Sequence, residues 1–305
     1  MNRYVIVGAG PIGSAVARQL IARGDRAVVV TRSGTGPEGA ECIALDATDA
    51  DALTEVTRGA TALFNCANPL YHRWAIDWPP LASSMLAAAE ATGAVLVITS
   101  NLYGYGPVDG VMTPDLPLAA TGTKGKVRAQ MWREAQDAHE AGRIRAVEVR
   151  GSDYVGVGAQ SHIERALPAV LAGKKAKVIG NPDMPHSWTY TEDMAATLVS
   201  AADNPQAWGR AWHAPSAAVR TQREALADLA GVAGVAAPKV APMPGWQLKV
   251  AGVFVPMVRE LDEVSYQFAA PFVVDDSETR DLLGVTATDW STVLTRSAEA
   301  AQTAA

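Results

Sequence analysis

The 305-residue chain carries 26 Lys and Arg against 32 Asp and Glu, a formal net charge of −6 at pH 7, with 49% hydrophobic and 19% charged residues. That balance fits one large α/β domain, or a nucleotide-binding domain with a smaller companion, and argues against nucleic acid as a partner, which requires clustered Lys and Arg. Two cysteines, Cys42 and Cys66, in no paired motif and behind no leader-like segment, point to a reducing cytoplasm; no apolar run approaches the roughly 18–20 residues that span a bilayer, so no membrane partner is expected.

In chain order, periodicity gives a strand at Tyr4–Val7, a helix at Ile12–Arg23, strands at Ala27–Thr31 and Cys42–Leu45, and a helix at Asp51–Arg58. A strand at Ala62–Cys66, a helix at Pro80–Thr92, a strand at Val95–Thr99, a helix at Thr123–Ala141 and a strand at Ile144–Val149 complete this series. Apolar strands alternating with helices predict an α/β fold, a Rossmann doubly wound parallel sheet. After Arg150, Gly and Pro become frequent. Val178–Gly180 reads as a short isolated strand, and helices are expected at Thr191–Ala202, Gln222–Ala230 and Gln247–Phe268, with the Ala-rich tail after Ser297 expected to fray. The predicted division is a dinucleotide-binding domain over 1–150 and a smaller C-terminal substrate-binding lobe over 151–305, interleaved with the last Rossmann elements.

Gly8-Ala9-Gly10-Pro11-Ile12-Gly13 is a G-x-G-x-x-G between strand and helix. Gly8 makes the tight turn, Gly10 lets the backbone approach a pyrophosphate, and Gly13 permits close helix–strand packing, with Pro11 and Ile12 opening the helix whose amides face the phosphates. An NAD-preferring site places an acid at the end of the next strand; Thr31, Arg32 and Ser33 stand there instead, and a guanidinium suits a ribose 2′-phosphate, so the expected cofactor is NADP(H). Further along the crevice, Ala67 is small enough for backbone contact with a ribose. Asp46 reads equally as an acceptor for the adenine amino group or as the cap of the helix entered near Asp49.

Three further segments carry a resemblance. Thr99-Ser100-Asn101-Leu102-Tyr103-Gly104-Tyr105-Gly106-Pro107, Arg150-Gly151-Ser152-Asp153-Tyr154-Val155-Gly156 and Ser187-Trp188-Thr189-Tyr190-Thr191-Glu192-Asp193-Met194-Ala195, with the glycine loop, make the chain similar to the extended, epimerase-like branch of the short-chain dehydrogenase/reductase superfamily. The resemblance covers nearly the whole length. It implies Ser100 and Asn101 as carbonyl-orienting residues, Ser152 beside the cofactor, and His186 and Trp188 near the substrate.

One departure stands out. The family uses a Tyr as general acid and a Lys four residues later to tune it and hold the nicotinamide ribose. Here, aligning Lys126 with that lysine puts Gly122 in the tyrosine slot, and choosing Lys124 puts Ala120 there. Developing alkoxide charge still needs a donor. Ser100, Asn101, Lys126 and Tyr103 are the catalytic candidates and Tyr105 is a substrate-contact candidate, with aromatic packing beneath the active-site loop the alternative for both tyrosines; Lys124 or Lys126 remains available for the ribose, unless each is a solvated side chain of the first helical turn. Trp188, Met243, Trp246 and Met257 are candidates for an apolar pocket. The five histidines show no ligand spacing, so no metal site is expected.

The resemblance implies an atypical, tyrosine-lacking NADPH-dependent ketoreductase acting on a small molecule, of the kind found in bacterial secondary metabolism and angucycline-type antibiotic biosynthesis. An NAD(P)-dependent epimerase or dehydratase is the alternative, and a non-catalytic NADP-binding regulator the second. The sequence gives no oligomeric state.

Overall fold

The computed structural model describes residues 1–159, 162–217, 219–244, 260 and 262–303. Its first half alternates β1 (Arg3–Val7), α1 (Pro11–Ala22), β2 (Arg26–Thr31), β3 (Glu41–Ala44), α2 (Ala50–Thr57), β4 (Ala62–Asn65), α3 (Trp74–Thr92), β5 (Val95–Asn101), α4 (Thr123–Glu140) and β6 (Arg145–Gly151). There follow β7 (Asp153–Val155), α5 (His162–Leu171), β8 (Ala176–Val178), β9 (Trp188–Tyr190), α6 (Thr191–Asp203), β10 (Ala211–His213), α7 (Gln222–Val232), β11 (Val240–Pro242), α8 (Ser277–Leu283) and α9 (Trp290–Thr303).

Seven parallel strands form the central sheet in the order β10-β6-β5-β4-β1-β2-β3. Tyr4, Val5, Ile6 and Val7 are all buried because alternate side chains feed two cores. Tyr4 and Ile6 pack with α1 and α6, whereas Val5 and Val7 pack with α2, α3 and α4. A third core joins α5, α7, α9 and the two-stranded β8–β11 sheet into the second lobe. Its helix α7 starts on a capping box, Thr221 accepting from the Glu224 amide at 3.1 Å and Glu224 from the Thr221 amide at 2.9 Å.

The doubly wound sheet is as predicted, and four local readings change. The seventh strand, β10, escaped notice because three residues flanked by turns carry no periodicity. Helix α3 starts at Trp74, six residues before Pro80, and holds both Pro79 and Pro80 inside it. Buried Trp74 and Trp78 anchor that early segment despite the lost amides. The strand near Val178 lies at Ala176–Val178 and is not isolated, since it pairs in parallel with Val240–Pro242. The expected helix at Gln247–Phe268 falls largely outside the described residues, and its last part, Asp262–Phe268, is a 3-10 helix. No helix among the described residues is long and apolar enough to cross a membrane.

Candidate active site

In an open parallel sheet the ligand crevice lies beyond the carboxyl ends of the strands, where chain order reverses. Here that point is between β1 and β4. The loop after β1 has the three glycine roles in its geometry. Gly8 has φ +101°, and a Cβ there would meet the Cys66 carbonyl oxygen at 2.6 Å; a Cβ on Gly13 would lie 2.0 Å from the Gly8 carbonyl oxygen. Gly10 faces open space, with nothing within 4 Å of the Cβ it lacks. Pro11 occupies the first turn of α1 and no side chain caps the helix, so amides of that turn point outward into the crevice. These residues fit a dinucleotide pyrophosphate, and Ala67 stands beside them, its Cα 2.9 Å from the same point over Gly8.

On the β2 side, Arg32 is exposed in the turn that follows the strand. The neighbouring hydroxyls are committed within that turn: Thr31 Oγ1 donates to the Thr35 carbonyl at 2.9 Å, and Ser33 Oγ lies 2.6 Å from Thr35 Oγ1. Arg32 is therefore the member of the predicted Thr31-Arg32-Ser33 set whose polar group is not used locally. Asp46 does not cap α2; Asp49 does, accepting from the Ala52 amide at 3.0 Å. Asp46 instead accepts from the Thr48 amide and hydroxyl, which with the charge of Arg32 hold its carboxyl below the usual range.

On the β5 side, Gly122 or Ala120 stands at the entry to α4 where the family's acid would be, and the rest of the protein fills the space. A Cβ on Gly122 would lie 2.5 Å from Glu263 Oε1, and one on Gly125 would lie 2.5 Å from the Tyr103 carbonyl oxygen. Lys124 is not a solvated side chain of the first turn. It is 1% exposed, with Nζ 2.5 Å from Glu260 Oε2 and 2.9 Å from Glu263 Oε2, while its amide donates to Glu263 Oε1. Two carboxylates thus hold the ammonium proposed for the ribose. Lys126 is exposed on α4.

Ser100 and Asn101 end β5. Ser100 is buried and its carbonyl accepts from Tyr154 Oη at 2.5 Å. Asn101 Oδ1 accepts from the Tyr103 amide at 3.1 Å, fixing the 3-10 turn Tyr103–Tyr105. Tyr103 and Tyr71 meet through their hydroxyls at 2.9 Å, and Trp74 packs on both rings. Arg128 is buried nearby, its guanidinium over the rings of Trp74 and Trp78 and one amine on the Thr99 carbonyl at 3.2 Å.

Three substrate-contact candidates are buried. Tyr105 is 2% exposed and belongs to an inner network: Arg150 Nη1 donates to Tyr105 Oη at 2.7 Å, which donates to His213 Nε2 at 2.8 Å, and His213 Nδ1 donates to the Asp275 carbonyl. Trp188 is wholly buried in the second-lobe core, its indole nitrogen on the Arg220 carbonyl. His186 is 1% exposed, stacked on Phe268 and Phe272, with Nε2 2.7 Å from Asp153 Oδ2. Ser152 is buried with its amide on Thr189 Oγ1 and its hydroxyl unpartnered among the described residues. Trp246 and Met257 lie outside the described residues. Among the described residues no group of three or more His, Cys, Asp or Glu is placed to hold a metal ion.

Sequence reasoning missed Tyr71, Glu260, Glu263, Arg128 and Asp153. Tyr71 and Arg128 stand in no motif, and both glutamates lie more than 100 residues beyond α4. Asp153, in place of an Asn in the family-like segment, was the one readable signal.

The inner network gives a pH prediction. Burial pushes the His213 imidazole down to about 4 from an ordinary 6.5. Between those values the unfolded chain binds a proton that the native state refuses, so stability rises with pH across that window. We expect about 3 kcal/mol of stability to be lost between pH 7 and pH 4 through this residue. Urea titrations of wild type and His213→Gln check it, since an unchanged pH slope in the variant would remove His213 as the cause.

A model of the NAD dependent epimerase/dehydratase family matches residues 4–213. Among solved structures, the chain is similar to UDP-glucuronic acid 4-epimerase from Bacillus cereus in complex with NAD, at 14% identity over 99% of both chains with a TM-score of 0.80. It is also similar to UDP-glucose 4-epimerase from Thermotoga maritima with UDP-glucose, at 14% identity over 99% of both chains and 0.80. A putative epimerase from Burkholderia cenocepacia gives 20% identity over 100% of this chain and 99% of that one, with a TM-score of 0.78. A search of curated proteins returned no match. The family model spans well over half of the sequence and includes the glycine loop and all seven strands of the sheet: the chain belongs to the NAD dependent epimerase/dehydratase family.

Proposed function

We propose that the protein is an NADP(H)-dependent enzyme of the epimerase/dehydratase kind, acting at one alcohol or ketone carbon of a small molecule. The observation that carries this reading is the open first turn of α1 at Gly10, set in a crevice within the family-matched region. When bound, the nicotinamide supplies or accepts the hydride. The chain's own part is to seat the dinucleotide on the α1 amides, to hold the adenosine end between Arg32 and Asp46, and to exchange a proton with the substrate oxygen from the phenol-lined side of β4 and β5.

A UDP-sugar, which the Thermotoga enzyme binds, is the first substrate class to test. Incubation of UDP-glucose with the protein and NADP⁺ is expected to give an isomerised or dehydrated sugar with no net change in absorbance at the reduced-nicotinamide band. Net oxidation of NADPH by an aromatic ketone supports instead a second reading, a ketoreductase. The vacated tyrosine slot favours that reading, because burial holds the remaining phenols of Tyr71 and Tyr103 in their protonated, donating form, which suits reduction. Neither reaction with any carbonyl or sugar, alongside intact NADP⁺ binding, would leave a non-catalytic regulator.

Cofactor choice is tested apart from turnover. NADP⁺ is expected to raise the melting temperature more than NAD⁺, and Arg32→Ala to weaken NADP⁺ at least 10-fold while leaving NAD⁺ unchanged. Equal stabilisation by the two dinucleotides, unaffected by the substitution, would overturn the assignment to NADP(H).

A further inference from the structure

Ala120 or Gly122 stands where the family's tyrosine would, at the entry to α4, and Gly125 in the first turn lets the turn after β5 approach closely. Gly125 lets the Tyr103 carbonyl approach to a distance no side chain would permit. Asn101 then pins the Tyr103 amide, and Trp74 packs against the ring at 6.0 Å. Tyr103 follows β5 and Tyr71 follows β4, so both stand on the side of the glycine loop opposite Arg32. A dinucleotide laid across the strand ends, with its adenosine toward β2, brings its nicotinamide half to that side.

We propose that Tyr103 is the proton donor to the substrate oxygen, positioned by the hydrogen bond from Tyr71, so that the missing phenol is supplied from the loop after β5. This inference rests on the proposed function. Tyr71 Oη donates to Tyr103 Oη at 2.9 Å. The oxygen of half-buried Tyr103 is thereby an acceptor, hydrogen-bonded also to the Gln267 side chain, and its own hydrogen is the one left to donate. In the reductive direction the Tyr103 O–H bond breaks as the substrate O–H bond forms, and Tyr71 keeps its proton while donating a hydrogen bond to the Tyr103 oxygen. The charge left on Tyr103 is held by the hydrogen bond from Tyr71 and is cleared by a proton from solvent. The Lys124 ammonium lies behind the pair, 4.9 Å from the centroid of the Tyr71 ring. Asn101 becomes a positioning residue that acts through Tyr103.

The test uses the full-length protein, NADPH and a panel of aromatic ketones and 4-keto sugars. Tyr103→Phe is expected to lower kcat by 10²–10⁴-fold with the Kd for NADPH unchanged within about twofold. Tyr71→Phe is expected to cost less, and the double variant no more than Tyr103→Phe alone, because the two act in series. A Tyr103→Phe enzyme retaining more than a third of kcat, or a double variant whose losses multiply, would overturn the inference. A wild type that turns over nothing overturns the proposed function instead. The phenol pair is then read in the apoprotein by labelling tyrosine with ¹³C at Cζ. The Tyr103 resonance, identified by its loss in Tyr103→Phe, is expected to shift on Tyr71→Phe, and the Tyr71 resonance on Lys124→Met. Resonances that ignore both substitutions would remove the linked pair.

Discussion

Alanine at Gly13 is expected to lower both the melting temperature and the affinity for a dinucleotide, whereas alanine at Gly10 lowers affinity alone. A methyl group on Gly13 meets the Gly8 carbonyl oxygen at 2.0 Å, so α1 must lift away from β1. Forcing a methyl into packed structure costs about 1–3 kcal/mol, and displacing the helix also removes its amides from the phosphates. At Gly10 the same methyl meets no protein atom within 4 Å, so the fold is untouched and the group intrudes only on the space reserved for the pyrophosphate. Thermal melts with and without NADP⁺ separate the two. A Gly10→Ala variant that still binds tightly would show that the pyrophosphate lies elsewhere.

Arg150→Met is expected to destabilise the protein by about 3–5 kcal/mol, the cost of leaving one partner of a buried pair alone. Arg150 and Glu148 are 3% and 2% exposed, with Nε 2.5 Å from Oε2, and the same guanidinium is the first donor in the chain through Tyr105 to His213. Replacing both charges, as Glu148→Met with Arg150→Met, is expected to recover a large part of the loss, because no uncompensated charge then remains inside. Denaturant unfolding of the two single variants and the double checks this. A double variant as unstable as Arg150→Met would place the stabilisation in the Tyr105–His213 chain and not in the pair.

The parts of the site that follow from local spacing were legible in the sequence. Strand β1, the three glycines and α1 lie within about twenty residues, and each glycine's role follows from backbone geometry that any such turn shares. The absence of the tyrosine on α4 was equally plain. What took its place was not, because Glu263 and Glu260 reach Lys124 from the far end of the chain and no periodicity links them. The aromatic residues misled for a different reason. Tyr105, Trp188 and His186 sit in family-like segments, yet an aromatic ring that lines a cleft and one that fills a core have the same pattern, and only their burial tells them apart. Asp46 and Asp49 were a narrower case: either can cap a helix three residues on, and the choice rested on where α2 begins.

The last strand of the central sheet is drawn from residues 211–213, far beyond the alternating units that make the other six. During synthesis, β6 therefore emerges with a bare outer edge and keeps it until some sixty further residues have been made. A bare edge is a template for pairing with another nascent chain. On β6, Glu148 and Arg150 stand at two of the three positions that pair with β10 in the finished sheet, and a charged pair there disfavours pairing with an apolar strand of another chain. The pair that looks like a burden on the finished protein is, on the ribosome, a guard against the wrong partner strand.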